Sequence, residues 1–158
     1  EGSRALHEVA RTMSEHDSDC AIIVEEGRPV GLVSDGDLRE RVLAAYRSEC
    51  ALCRLKHASL LEAAHIIPDS DERGEPRVSN GLSLCRIHHG AFDQDILGID
   101  PDGRTEVRHD ILEEVDGPML RHGIQAMHGV RIRMPRSARA RSDREALAMR
   151  FERFRQAG

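Results

Sequence analysis

Aromatic side chains are scarce in this chain: tryptophan is absent, and a single tyrosine and three phenylalanines make up 3% of the residues. A core built on stacked rings is therefore excluded. A small domain of this composition needs another source of stability, and a bound metal is one. Also missing are any apolar run long enough to span a bilayer and any secretory leader. The expectation is a cytoplasmic protein with no membrane contact, in a reducing compartment where cysteines serve metals or catalysis. Lysine is nearly absent, Lys56 being the sole one, so positive charge is carried by arginine. The chain opens on Glu1 rather than Met, as a fragment or processed chain would.

What is present concentrates in one stretch, CALCRLKHASLLEAAHIIPDSDERGEPRVSNGLSLCRIHHGAFD. Cys50 and Cys53 form one C-x2-C pair, and Cys85 and His88 form a C-x2-H pair about thirty residues later. Thiolate and imidazole suit a tetrahedral zinc, with each tight turn presenting two ligands and the intervening loop bringing the pairs together. Two ordinary readings compete. A disulfide scheme that spares His88 leaves a thiol unpaired, because the fourth cysteine, Cys20, lies far away. A redox pair at Cys50 and Cys53 leaves Cys85 and His88 without a role.

Inside this staple His65 is followed after fourteen residues by Asn80, and Asn80 after eight by His89. This triplet, with its gaps, resembles the HNH family of endonucleases. The resemblance implies a ββα-metal unit, in which a strand carries the first His, a loop the Asn and a helix the last His. The local sequence agrees with that order. Residues 60–67 (LLEAAHII) are an apolar run of strand length stopped by Pro68, and residues 69–77 are charged and contain Gly and Pro, as a loop does. Residues 86–94 suit a short helix on which His89 and Asp93 lie four apart on one face.

By this resemblance His65 is the general base of phosphodiester hydrolysis, since a near-neutral imidazole accepts a proton at cellular pH. Asn80 orients it through hydrogen bonds within the loop. His89 binds a catalytic divalent ion, and Asp93 is the candidate second ligand. Many family members carry an acidic residue or a further His just before the base, where it also ligates the metal; here that position is Ala64. Sparse ligation of this kind suits Mg or Mn, which keep several waters and meet phosphate directly. His88 is expected to staple the zinc and His89 to work, about 100° further around the helix, although the sequence also permits the reverse assignment. Taken singly these residues have ordinary readings: a surface His, a turn Asn before Gly, a capping Asp.

The net charge of -5 is uneven: residues 1–45 hold ten acids and five bases, whereas residues 46–158 hold eighteen of each. From Arg131 onward nine arginines face three acids, densest in RIRMPRSARARSDR. Such a patch neutralises phosphates and makes binding salt-dependent; its ordinary reading is a solvated tail.

The acidic front reads differently. Residues 3–16 are apolar at helical spacing, CAIIV at 20–24 is a buried strand, a turn follows at 26–29, a strand at 30–34, and a helix from Asp37 toward Tyr46. With VEEGRPVGLVSDGDLRERV, this α-β-β-α order resembles one cystathionine-β-synthase (CBS) motif. Such motifs pair into modules that bind adenine nucleotides or act as dimer scaffolds. The family's phosphate-contacting Ser and ribose-contacting Asp map onto Ser34 and Asp37, and the lone half module implies homodimerisation or a missing partner half.

Downstream, residues 96–109 read as two short strands around Asp100-Pro101-Asp102-Gly103, a continuation similar to that of bacterial HNH restriction enzymes. Residues 119–127 read as a helix and 130–134 as extended. Residues 143–156 read as an amphipathic helix capped by Asp143 with Leu147, Phe151 and Phe154 inward. The expected fold is α+β: a ββα-metal HNH nuclease unit with a structural zinc at 46–158, preceded by an αββα CBS-like half module at 1–45. The expected function is a metal-dependent DNA endonuclease. The alternatives are a zinc-stapled DNA-binding module that does not cleave and a regulator responsive to nucleotide through the CBS-like segment.

Overall fold

The computed structural model describes residues 20–25 and 28–157. The helix expected at 3–16 and part of the turn at 26–29 lie outside the described residues. The chain is a mixed helix and strand fold. Strand β1 (Cys20–Glu25) pairs antiparallel with β2 (Arg28–Ser34), with an irregularity at Ile23 and Val24. Helix α1 (Asp35–Ala45) follows without a break.

The centre of the molecule is a second antiparallel pair, β3 (Leu61–His65) with β4 (Gly81–Cys85), in which Leu61 faces Cys85 and His65 faces Gly81. All five residues of β4 are buried, the pattern of a strand covered on both faces. Helix α1 and helix α2 (Arg86–Asp93) both pack on this pair. Helix α1 comes very close: a Cβ on Gly81 would stand 2.6 Å from Val42 Cγ2, so only glycine fits there. The end of α1 is tied down as well, by Arg39 Nη2 donating to Leu61 O at 2.8 Å and by the Tyr46 hydroxyl 2.8 Å from Ser142 Oγ. The helix read from sequence as part of the front module is thus packed into the core of the central hairpin.

The apolar run at 60–67 is longer than the strand it forms. The ladder ends at His65 because Asn80 takes over from the partner strand: its carbonyl accepts from Ile66 N at 2.9 Å and its side-chain Oδ1 from Ile67 N at 3.0 Å. Beyond α2, β5 (Leu97–Ile99) pairs with β6 (Thr105–Val107) around a turn where Gly103 has φ +77°. A short helix, α3 (His109–Glu113), follows.

The helix expected at 119–127 is instead a π turn at Met119–Ile124 and a 3-10 turn at Gln125–Met127. Regular α-helical bonding is lost around Gly123, whose carbonyl accepts a bond from His88. Residues 130–134 are extended; Val130 O accepts from Thr105 N of β6 at 2.8 Å, and an isolated bridge joins Arg131 to Arg104 just before that strand. Backbone bonds from Ile132 to Gly103 and from Arg133 to Ala51 hold this segment in place.

The closing helix, α4 (Arg144–Ala157), starts at Asp143, whose Oδ1 accepts from Glu145 N at 2.8 Å and Ala146 N at 3.2 Å. Leu147 and Phe154 are buried as expected, whereas Phe151 is half-buried and Arg150 occupies a core position. Helix α4 lies directly on β5: a Cβ on Gly98 would meet three atoms of the Phe154 ring at 2.5, 2.6 and 2.9 Å. Among the described residues no helix is long and apolar enough to cross a membrane.

Candidate active site and metal centre

The two cysteine turns converge. Cys50 and Cys53 flank the first turn after α1, Cys85 ends β4 and His88 lies in the first turn of α2, and the four ligand atoms all lie within 4.8 Å of one another. Cys85 Sγ is 3.2 Å and Cys50 Sγ 3.5 Å from His88 Nδ1, and Cys53 Sγ is 3.9 Å from Cys85 Sγ. Donor atoms around a tetrahedral zinc with bonds near 2.3 Å stand about 3.8 Å apart, so the cluster fits that ion. His88 Nε2 is 2.7 Å from the Gly123 carbonyl, which can only accept, so Nε2 carries the proton and Nδ1 faces the thiols. The Cys85 thiol beside Cys50, opposed by burial and helped by His88, holds the Cys50 thiol far below its usual range; the same contact raises Cys85. Burial raises Cys53 as well, so Cys50 is the thiol favoured as thiolate, and a cation held here would release protons from the other two. The cysteines are free thiols, with Cys50 and Cys85 buried and Cys53 exposed. These four side chains can hold zinc.

A second cluster opens at the other end of the hairpin. His65, at the end of β3, and His89 and Asp93, on α2, line one cleft of ≈ 290 Å³ together with Pro68 and Asp69. His65 Nε2 lies 3.4 Å from Asp69 Oδ1. Asn80 is buried at 2% exposure beneath this loop; its Nδ2 donates to Ile67 O at 3.0 Å and Glu75 O at 3.1 Å. Asn80 therefore fixes the backbone that follows His65 and makes no bond to the imidazole itself.

His89 is held from both sides. Its Nδ1 lies 2.7 Å from Glu62 Oε2 and its Nε2 3.1 Å from Asp93 Oδ2. Glu62 in turn meets Arg86 Nε at 3.2 Å, and its hydrogen bond to His89, opposed slightly by burial, lowers its carboxyl pKa. Adjacent ligands of an octahedral ion with bonds near 2.1 Å stand about 3.0 Å apart, which matches the spacing of His89 Nε2 and Asp93 Oδ2 in the cleft. Those two atoms can hold Mg or Mn, with Glu62 outside the cleft setting the imidazole. Strand alternation puts Glu62 and Ala64 on one face of β3, so the acid absent at position 64 has a counterpart two residues earlier. Glu62 was readable in LLEAAHII from that alternation alone.

Two further residues of the cleft were not legible in sequence. Arg150 and Arg153 on α4 also line it, and they get there by the docking of α4 on β5. The adenine-site residues proposed for the front segment sit at a strand-helix junction: Ser34 ends β2 and Asp37 lies in the first turn of α1. Of the basic stretch, Arg133 pairs with buried Glu49 at 2.6 Å and Arg144 with Asp102 at 2.7 Å, while Arg131, Arg136, Arg139 and Arg141 are exposed.

Two segments of the chain match known families. Residues 50–100 match the family model described as HNH endonuclease, and residues 3–44 match that of the CBS domain. No curated protein matches the chain in sequence. Among solved structures, one described as a modification-dependent TagI restriction endonuclease is similar at a TM-score of 0.52 and 18% identity, over 82% of this chain and 39% of that one. The chain thus spans about two fifths of that structure's length, and the likeness is one of fold.

Proposed function

We propose, from the HNH endonuclease segment at residues 50–100, that this chain is a metal-dependent endonuclease that hydrolyses phosphodiester bonds of DNA. The observation that carries the reading is the meeting of His65, His89 and Asp93 in one cleft, at the opposite end of the hairpin from a cysteine and histidine cluster suited to zinc. In this reading the His65 imidazole takes the proton from the attacking water. Asp69, 3.4 Å away, receives or orients the other end of that proton's path. Asn80 keeps the His65 loop from swinging by tying both the carbonyl and the amide of Ile67. His89 and Asp93 hold the divalent ion, and Glu62 fixes the ring of His89 by accepting from Nδ1. When bound, that ion supplies positive charge to the scissile phosphate and the leaving oxygen. The name of the TagI neighbour supports a restriction setting, in which the partner is duplex DNA.

The test is nicking of supercoiled plasmid in Mg, in Mn and in EDTA. The wild-type protein nicks in either metal and not in EDTA, and His65→Ala lowers the rate by about 100-fold or more while leaving duplex binding intact. Glu62→Gln keeps binding but weakens the affinity for Mn, read by titration of the ion, by about 10-fold or more. Equal nicking by wild type and His65→Ala sinks the mechanism. Binding without any nicking in either metal leaves a DNA-binding module in its place.

A further inference from the structure

Helix α4 lies beyond the segment matched by the nuclease family, yet it brings two guanidiniums to the cleft. They are not equivalent. Arg150 is only 4% exposed; its guanidinium lies 4.6 Å above the Phe92 ring, donates to the Phe92 carbonyl and pairs with Asp95 Oδ1 at 2.8 Å, out of hydrogen-bond alignment. It is a brace, committed to the protein. Arg153 lies nearly one turn later on the same face and leaves half of its side chain, 52%, exposed. Its Nε and Nη2 meet Asp95 Oδ2 at 3.1 and 3.0 Å, and Nη2 reaches the Asp93 carbonyl at 3.4 Å.

Two guanidiniums thus share one carboxylate. Asp95, itself buried, is matched by the buried Arg150, so the trio carries one surplus positive charge and Arg153 presents it to the cleft. The contacts of Arg153 run through Nε and Nη2, which leaves the Nη1 edge of the guanidinium directed away from Asp95. The same cleft is lined by His65, His89 and Asp93, the groups suited to a base and a cation, and the Arg153 contact to the Asp93 carbonyl sets its guanidinium next to them. A phosphodiester placed in this cleft meets a proton acceptor, a cation site and a fixed guanidinium together. With Nε and Nη2 committed to Asp95 and the Asp93 carbonyl, Nη1 remains to donate charge-assisted bonds to that oxyanion from a guanidinium held in a fixed plane.

We infer that Arg153 is a phosphate-contacting residue of this cleft, aimed by Asp95 and, through Asp95, by Arg150. The inference rests on the nuclease reading for its substrate, nucleic acid, and for nothing else. Arg153 acts by holding the phosphate and neutralising charge that grows on it, with no bond made or broken to the side chain.

The experiment uses the full chain in two backgrounds. In the His65→Ala protein, binding of a fluorescent DNA duplex is measured across a salt series. Arg153→Gln makes the slope of log K against log salt shallower by about 0.9, the loss of one phosphate contact. Arg153→Lys retains the slope, and Arg155→Gln, exposed on another face of the same helix, leaves it unchanged. In the cleaving protein, Arg153→Gln lowers plasmid nicking by about 100-fold, and Arg153→Lys, which keeps charge but loses the fork, by about 10-fold.

An unchanged slope and an unchanged rate in a folded Arg153→Gln protein would falsify the inference. So would an equal fall in slope for Arg155→Gln, which marks a diffuse basic surface. If Arg153→Gln does not fold, Arg153→Lys decides alone, and full nicking by it overturns the contact from a guanidinium aimed by Asp95. A wild-type protein that never nicks overturns the nuclease reading while the salt slope still judges Arg153.

Discussion

Raising the pH should unlock this fold through one hydroxyl. Tyr46, 1% exposed, lies where helix α1 meets the hairpin and the last turn before α4, with its hydroxyl 2.8 Å from Ser142 Oγ and 3.5 Å from Gly81 O. Burial pushes its pKa up from 10.0 to about 12, against the opposing pull of the Ser142 bond. The folded pKa lies above the unfolded one, so the unfolded chain releases the proton first. The stabilisation is complete below pH 10 and is lost as pH rises toward 12. At about 1.4 kcal/mol per pH unit, two units remove about 3 kcal/mol, a sizeable part of the roughly 5–15 kcal/mol that holds a domain together.

The assay is direct because the chain has no tryptophan and this is its single tyrosine. Near-ultraviolet tyrosinate absorbance of the folded protein reports Tyr46 alone. Denaturant melts of wild type and Tyr46→Phe at a series of alkaline pH values then give the loss by difference, with cysteine and Lys56 titration common to both. A tyrosinate signal that rises near pH 10 in the folded protein, or a difference curve flat between pH 10 and 12, would refute the account of a dry, clamped hydroxyl.

Two glycines should move stability in opposite directions. Gly98→Ala drives a Cβ into the Phe154 ring, at a cost of about 1–3 kcal/mol and a melting temperature lower by about 2–10 °C. Gly90→Ala, in helix α2 with nothing within 4 Å of the added Cβ, gains about 0.5–1 kcal/mol. Equal melts for the two variants would show that α4 is not seated on β5 as described. For the zinc site, elemental analysis should return one zinc per chain. Stripping it with a chelator should lower the melting temperature by on the order of 10 °C and open the segment around Gly123 to protease, since His88 holds that carbonyl; a stripped protein with an unchanged melt refutes the structural role.

The parts of the site that sequence made legible are those encoded locally. Cys50 and Cys53, and Cys85 and His88, are neighbours in the chain whose spacing is itself the geometry of a ligand pair. His89 and Asp93 are one helical turn apart, so a helix is enough to bring them together. The run before Pro68 announced β3, and the Asp100-Pro101-Asp102-Gly103 turn announced β5 and β6. Arg150 and Arg153 were illegible for the converse reason: amphipathic periodicity marked the buried face of α4 by its apolar members, while Arg150 occupies that face as a cation above Phe92. Their arrival depends on a glycine in β5 more than fifty residues earlier. The π turn at Met119–Ile124 was read as a helix because its composition permits one. What diverts it is a bond to a histidine thirty-five positions away.

Helix α1 carries a consequence for how such a protein can be rebuilt by recombination. The CBS domain match runs to residue 44, so a graft designed on that boundary would exchange the helix with the front segment. Val42 and Tyr46, however, fill the interior of the hairpin, and Arg39 caps a carbonyl of its first strand. A chimera cut at 44 would inherit a helix selected to fit another hairpin, and would empty the space above Gly81. A junction placed before Asp35 transplants the front strands and leaves the central hairpin its own wall. Inheritance of this segment is therefore constrained from behind: whatever module is joined in front of the hairpin must end in a strand that can feed this helix.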